Sequence, residues 1–119
     1  MSKYGATRTQ DRDTGRWFDS KAEWIRYRQL LLLEGAGEIS GLECQPKFVL
    51  FPRDAVLGLR TITYTADFQY RQAGSIVVED VKGMATGVWK LKWNIVQRQG
   101  HGVDEWRVVS AKEMYRGTR

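Results

Sequence analysis

The chain has one cysteine, Cys44, in 119 residues. No internal disulfide can form, so the fold is not held by cross-links and a reducing compartment is expected. Cys44 reads as a small packing residue rather than a nucleophile. There is also one histidine, His101. Catalysis centred on it needs a second acid or base close by, and none stands beside it. Prolines number two, Pro46 and Pro52. Both fall where an apolar run bends or ends. No apolar run reaches the ~20 residues of a membrane span. The N-terminus lacks the apolar segment of a secretory signal. Repeats and low-complexity tracts are absent. A soluble cytoplasmic protein with no membrane partner is expected.

What is present is a folded-globule composition with a basic surplus. Hydrophobic residues make up 42%, and five are Trp, which argues for a packed core in one domain. Nineteen Lys and Arg against fourteen Asp and Glu give a net charge of +5. That balance suits a polyanionic partner, whose phosphates release counterions on binding. Residues 1–17 are polar and carry Lys3, Arg8, Arg12 and Arg16. They read as a basic flexible arm, either frayed or ordered by DNA or a partner subunit. Residues 18–119 then form the domain.

Ser20 with Glu23 three residues on is the pattern of a helix capping box. The helix that follows has an apolar face of Ala22, Ile25, Gln29 and Leu32, widened by Leu30, Leu31 and Leu33. Gly35 and Gly37 end it. Ile39 to Leu42 starts a sheet, and Phe48-Val49-Leu50-Phe51 is an apolar strand. A loop from Pro52 to about Arg60 carries Arg53 and Arg60, which suit phosphate contact but are also ordinary surface charges.

Tyr64, Ala66, Phe68 and Tyr70 alternate with Thr65, Asp67 and Gln69, a strand period. Ser75 to Lys82 is a second strand, rich in β-branched residues. The loop Arg71 to Gly74 joins the two as a hairpin. Asp80 and Lys82 project from one face and Glu79 from the other. Asp67 lies beside the Asp80 face. This set could be a solvated Asp–Lys pair on a hairpin. The valines around Asp80 argue for a central strand, where an unneutralised acid is costly. Two carboxylates with a nearby amine suit Mg²⁺ and phosphoryl chemistry. Thr86 caps a second helix, about Val88 to Gln99, with Val88, Leu91 and Ile95 on one face and Trp89, Trp93 and Val96 broadening it. Lys90 and Lys92 fall on its other sides. Glu105 to Ser110 is a last strand, and Lys112, Arg116 and Arg119 form a basic tail.

Asp67 followed by Asp80-Val81-Lys82 resembles the signature of the PD-(D/E)XK nucleases, with Ala66 where many members have proline. The order helix, acid-bearing strands, helix, strand also resembles that superfamily over about Phe18 to Val109. The closest resemblance is to small phage-encoded members and the compact junction-resolving endonucleases. The resemblance implies an α/β fold with a restriction-endonuclease-like core, a central mixed β-sheet flanked by helices. It implies Mg²⁺, with Mn²⁺ able to substitute, held by Asp67 and Asp80. Glu23 either joins that metal from the first helix or caps the Ser20 backbone. Lys82 is implied to orient the attacking water. Lys92, with Lys90 close behind, is implied as a helper, or both are solvated helix charges. Branched DNA, as in a Holliday junction, is the implied substrate, with Arg12, Arg16, Arg53, Arg60 and Lys90 as phosphate contacts. A homodimer and a phage-infected or prophage-bearing bacterial host cell are implied too. Two alternatives stand beside this reading. One is a nucleic-acid-binding protein without cleavage that uses Trp and Tyr for stacking. The other is a nuclease of the same fold acting on linear duplex.

Overall fold

The computed structural model describes residues 7–116. The first elements are a short antiparallel ribbon of β1 (Thr9–Gln10) and β2 (Trp17–Phe18). Asp11, 1% exposed, ties it down. Its Oδ2 accepts from the Thr14 N–H at 3.0 Å and the Thr14 hydroxyl at 2.9 Å. Its Oδ1 accepts from the Trp24 indole N–H at 3.0 Å. The Arg8 guanidinium lies 4.9 Å from the centre of the Trp17 ring. The expected flexible arm is therefore corrected: from Thr9 onward the segment is folded, because a buried carboxylate with four donors, Trp24 and Arg28 of the first helix among them, fastens it to that helix. Arg12 and Arg16 remain exposed on it. Lys3 at one end and Arg119 at the other lie outside the described residues.

Helix α1 spans Lys21–Gly35. Its cap is the one expected, the Ser20 hydroxyl accepting from the Glu23 N–H at 3.1 Å. The helix stops at Ala36, and Gly37 then turns the chain away at φ +77°. The buried face is Ala22, Ile25, Tyr27 and Leu30, whereas Leu32 is 75% exposed. Four successive leucines hide the phase of the helix, and the sheet, not the composition, selects which of them is covered.

Next come β3 (Ser40–Cys44), β4 (Lys47–Phe51), β5 (Ile62–Thr65), β6 (Phe68–Gln72) and β7 (Ser75–Lys82). Helix α2 (Gly87–Gln99), β8 (Glu105–Ser110) and α3 (Ala111–Arg116) complete the chain. The central sheet has the order β3-β6-β7-β8. Its first two pairings are antiparallel and the last is parallel, so the sheet is mixed. Strands β4 and β5 form a separate antiparallel ribbon.

The run expected as one strand through Tyr64 and Phe68 breaks at Ala66 and Asp67. The Ala66 N–H bonds the Pro46 carbonyl at 3.0 Å, and the Asp67 N–H bonds the Glu79 carbonyl at 3.1 Å. Successive amides thus serve the β3–β4 connection and β7, and the chain passes from the ribbon into the central sheet. The alternation survives the break, but its apolar positions fill two cores. Tyr64 and Ala66 join Phe48, Leu50, Val78 and Val96 on the α2 side. Phe68 and Tyr70 join Phe18, Tyr27, Val77 and Val81 on the α1 side. The β6–β7 turn is shorter than expected. Gln72 pairs with Ser75, leaving Ala73 and Gly74, both at positive φ, as a tight two-residue turn that suits the sheet twist.

Helix α2 begins at the expected cap, the Thr86 hydroxyl accepting from the Trp89 N–H at 3.1 Å. Its inward stripe is Trp89, Trp93 and Val96. Val88 and Leu91 face outward instead, because interlocking indoles, with Trp93 edge-on to Trp106 at 5.7 Å, fill the space beside the sheet.

Strand β7 lies between both cores. Glu79, fully buried, points to the α1 side and takes a two-point ion pair from Arg26, Nε to Oε1 and Nη2 to Oε2, each 2.7 Å. The Tyr70 hydroxyl also donates to Glu79, and Arg107 donates to that hydroxyl at 3.0 Å. Burial and the bond to Glu79 push the Tyr70 phenol up to about 12. Removing one partner of such a pair leaves an uncompensated buried charge. Arg26→Ala is expected to lower unfolding free energy by roughly 3–5 kcal/mol. The double change Arg26→Met with Glu79→Leu is expected to recover most of that loss. Urea unfolding measures both, and a double variant as unstable as the single one would contradict this account.

Candidate active site

Asp80 stands on the α2 side of β7, one residue from Glu79 and almost fully buried. Its Oδ2 accepts from the Tyr64 hydroxyl and, at 2.9 Å, from the Trp89 indole N–H. Its Oδ1 lies 3.3 Å from the Lys82 ammonium. That ammonium sits 5.2 Å from the centre of the Trp89 ring, so the indole braces acid and base together. Burial, then the negative charge of Asp80, pushes the Tyr64 phenol up, which keeps it a proton donor.

Asp67 comes opposite Asp80, one step past the Phe68–Glu79 pair. Its Oδ2 accepts from the Val81 N–H at 2.6 Å. Its carboxyl is held well above the usual range by burial first, then by repulsion from Asp80 and Glu23 and a bond to the Asp80 side chain. Glu23, in the first turn of α1, is near enough for its charge to act on Asp67 and to be acted on by Asp80 and Lys82. Its carboxyl is pushed up to about 7, by burial, then by Asp19 and more weakly by Asp80. The Ser20 side chain and the Lys82 charge pull in the opposite direction. Three acids and one amine, drawn from α1, the β5–β6 break and β7, thus act on one another.

The other candidate residues lie elsewhere. Lys92 donates to the Thr63 carbonyl at 2.9 Å, holding α2 to β5 beside Tyr64. Lys90 is exposed on α2, and Arg53 and Arg60 are exposed on the loop between β4 and β5. His101 occupies a turn at φ +47°, its ring 5.3 Å from that of Phe48. Burial pushes the Cys44 thiol up, against nucleophilic use. Tyr64 and Trp89, which orient Asp80, read in the sequence only as apolar positions. Arg26 had one visible signal, its place one helical turn after Glu23.

Among the described residues no group of three or more His, Cys, Asp or Glu side chains is set to hold a metal ion. The reason is visible in the bonds, since Tyr64, Trp89 and the Val81 amide occupy carboxylate oxygens of Asp80 and Asp67. The donor chemistry nevertheless fits. All three acids offer the hard oxygens that Mg²⁺ takes. Two are held above their ordinary pKa by burial first and then by the charge of neighbouring acids, and a cation would offset that charge. Asp80 keeps Oδ1 clear of the two donors on Oδ2.

Among the described residues no helix is long and apolar enough to cross a membrane. Residues 1–115 match a family model described as a protein of unknown function, DUF1064. No curated protein and no solved structure matches the chain.

The position of Glu23 has a consequence for stability. Its folded pKa of about 7 lies above the ordinary 4.5. Such a group favours the folded state below pH 4.5, and the advantage is lost as pH rises through about 7. In metal-free buffer Glu23→Gln is expected to gain stability relative to wild type between pH 5 and 8. The melting temperatures should separate by about 10 °C, or ~2.5 kcal/mol, over that range. Parallel melting curves at every pH would show that Glu23 titrates normally.

Proposed function

The chain belongs to the DUF1064 family, and we propose that it is a divalent-metal-dependent DNA endonuclease with a restriction-endonuclease-like core. Its proposed substrate is branched DNA, as in a phage-type Holliday junction resolvase working in the cytoplasm of a bacterial host. The observation that carries this reading is the Asp80–Lys82 pair at the end of β7, 3.3 Å apart, with Asp67 bonded to the next residue's amide and the charges of Glu23, Asp67 and Asp80 acting on one another. A structural ion pair needs one acid and one base. Three acids sharing one amine are costly unless a cation is bound there at work.

Asp67 and Asp80, with Glu23, would hold Mg²⁺, and Mn²⁺ would substitute. Bound there, the ion supplies polarisation of a phosphoryl oxygen and a bound water of lowered pKa. Tyr64 and Trp89 fix the Asp80 carboxylate through Oδ2, so its Oδ1, beside the Lys82 ammonium, keeps one direction. Lys82, beside that oxygen, orients the attacking water and offsets charge growing on the phosphate. Lys92 supports from a distance, by holding the strand that carries Tyr64. Arg12, Arg16, Arg53, Arg60 and Lys90 are exposed and suit phosphate contacts. Two symmetric cuts in a four-way junction call for two sites, hence a homodimer.

One observation favours a second reading. The carboxylates are already hydrogen-bonded within the protein, as in a binding domain that never cuts. A gel assay with four-way junction, flap, single strand and linear duplex, each with Mg²⁺ or Mn²⁺, separates the two. Cutting of the junction is expected, with losses of at least ~10²-fold in Lys82→Ala and Asp80→Asn while DNA binding stays. Light scattering should report a dimer at micromolar concentration. Binding without cutting, the same in wild type and Asp80→Asn, would establish the binding domain. Preferential cutting of linear duplex would keep the chemistry and discard the junction.

A further inference from the structure

We propose that the hairpin between β4 and β5, residues 52–61, is a wedge that enters branched DNA where base stacking is interrupted. This inference rests on the DNA-directed reading above and adds how a branch is told from ordinary duplex.

The hairpin is pre-formed. Asp54 and Leu59 exchange backbone hydrogen bonds of 3.0 and 2.9 Å, and the Asp54 carboxylate accepts from the Leu57 N–H at 3.0 Å. Gly58 supplies the positive φ, +67°, that closes the loop. The tip this order displays is apolar. Val56 is 94% exposed, Leu57 69% and Leu59 56%. A turn held this firmly does not fold its tip back onto the protein, so that apolar surface stays in water until something covers it.

The shoulders of the hairpin say what covers it. Arg53 and Arg60 stand one residue outside the Asp54–Leu59 bridge, one on each strand. Both are exposed, and neither has a side-chain partner among the described residues. The one acid nearby, Asp54, is engaged in its own turn. An apolar tip between two unpaired cations fits a gap between stacked bases with a phosphate strand on either side. A second copy of the chain fits less well, since tip-to-tip contact would bring four arginines together. Linear duplex offers no gap, and opening one costs a few kcal/mol per step. At a branch point the stack is interrupted on one side, so less stacking remains to be opened.

The hairpin is also mechanically joined to the acid cluster. Strand β5 runs from Ile62 to Thr65 and contains Tyr64, whose hydroxyl bonds Asp80. Leu59 to Tyr64 spans at most roughly 17 Å of extended chain. A tip seated at a branch therefore holds the cleavage site at a fixed, short reach from it.

The test uses the full chain in metal-free buffer, a four-way junction with 2-aminopurine at the branch, and a linear duplex of the same length. Wild type is expected to bind the junction at least ~10-fold tighter than the duplex, ~1.4 kcal/mol, and to raise the branch fluorescence as the base unstacks. Val56→Ser with Leu57→Ser alters exposed positions only, and an unchanged melting temperature checks the fold. That variant is expected to bind junction and duplex equally and to give no fluorescence rise. Arg53→Ala with Arg60→Ala is expected to weaken both complexes and to reduce the slope of log affinity against log salt by about 2. The wedge is overturned if wild type leaves the branch fluorescence unchanged, or if the serine variant keeps its junction preference. It is also overturned if that variant only changes from dimer to monomer, which assigns the tip to a second copy. Failure of the nuclease reading shows separately, as no strand cutting with Mg²⁺ or Mn²⁺ while the fluorescence rise persists.

Discussion

The two-point ion pair between Arg26 and Glu79 sets the frame for everything else. It joins the middle of α1 to the middle of β7 through a planar fork that admits little rotation. Glu23 lies one helical turn before Arg26, and Asp80 lies one residue after Glu79. The pair therefore fixes the distance between two of the acids without belonging to their cluster. Burying it is expensive, and the extra donor from Tyr70, itself held by Arg107, keeps it satisfied. An apolar pair of the same volume would hold helix to strand as well, yet with less restraint on rotation and register. The ion pair thus makes sense as a device for geometry more than for stability.

The acid cluster works the opposite way. Glu23 and Asp67 are both held above their ordinary pKa by burial and by their neighbours. Folding therefore gathers groups that repel each other, and the surrounding structure must outweigh that repulsion. Tyr64, Trp89 and the Val81 amide do part of this by donating to the carboxylates. Local conflict balanced by a firm frame is what a site for a charged ligand demands, whereas a purely structural cluster would be relaxed by one amide substitution.

Much of this was legible in the sequence where the signal is local. The Ser20 and Thr86 caps, the β6–β7 hairpin and the two faces of β7 all follow from neighbours a few residues apart. The mixed sheet with flanking helices was implied by the family resemblance, which the order of the elements helps to carry. What was not legible depends on partners distant in sequence. Leu30 to Leu33 are chemically equivalent, so only the sheet decides that Leu30 is covered and Leu32 is not. On α2 the outward turn of Val88 and Leu91 follows from indoles competing for the same wall. The break at Ala66 and Asp67 left the period-two pattern intact and so gave no sign of itself. The N-terminal segment looked free because the partners of Asp11 are Thr14 nearby and Trp24 and Arg28 beyond it. Tyr64 and Trp89 looked like core because half of each side chain is core, and only the hydroxyl and the indole N–H reach Asp80.

Those two aromatics also decide from which side the cluster can be approached. Trp89 stacks on Trp93 at 5.3 Å, and Tyr64 meets Trp93 edge-on at 6.0 Å. Phe48 and Trp106 extend the wall, 5.3 Å apart. This wall keeps water from the α2 side of Asp80 and lowers the local dielectric there, so each remaining charge acts more strongly. Lys82, its side chain partly exposed, and Glu23 then stand on the open side. On that side the Lys82 side chain lies nearer to solvent than the buried Asp80 carboxylate. Because β5 supplies one panel of the wall and also the return strand of the hairpin, the direction of approach and the position of the apolar tip are set by the same four residues, Ile62–Thr65.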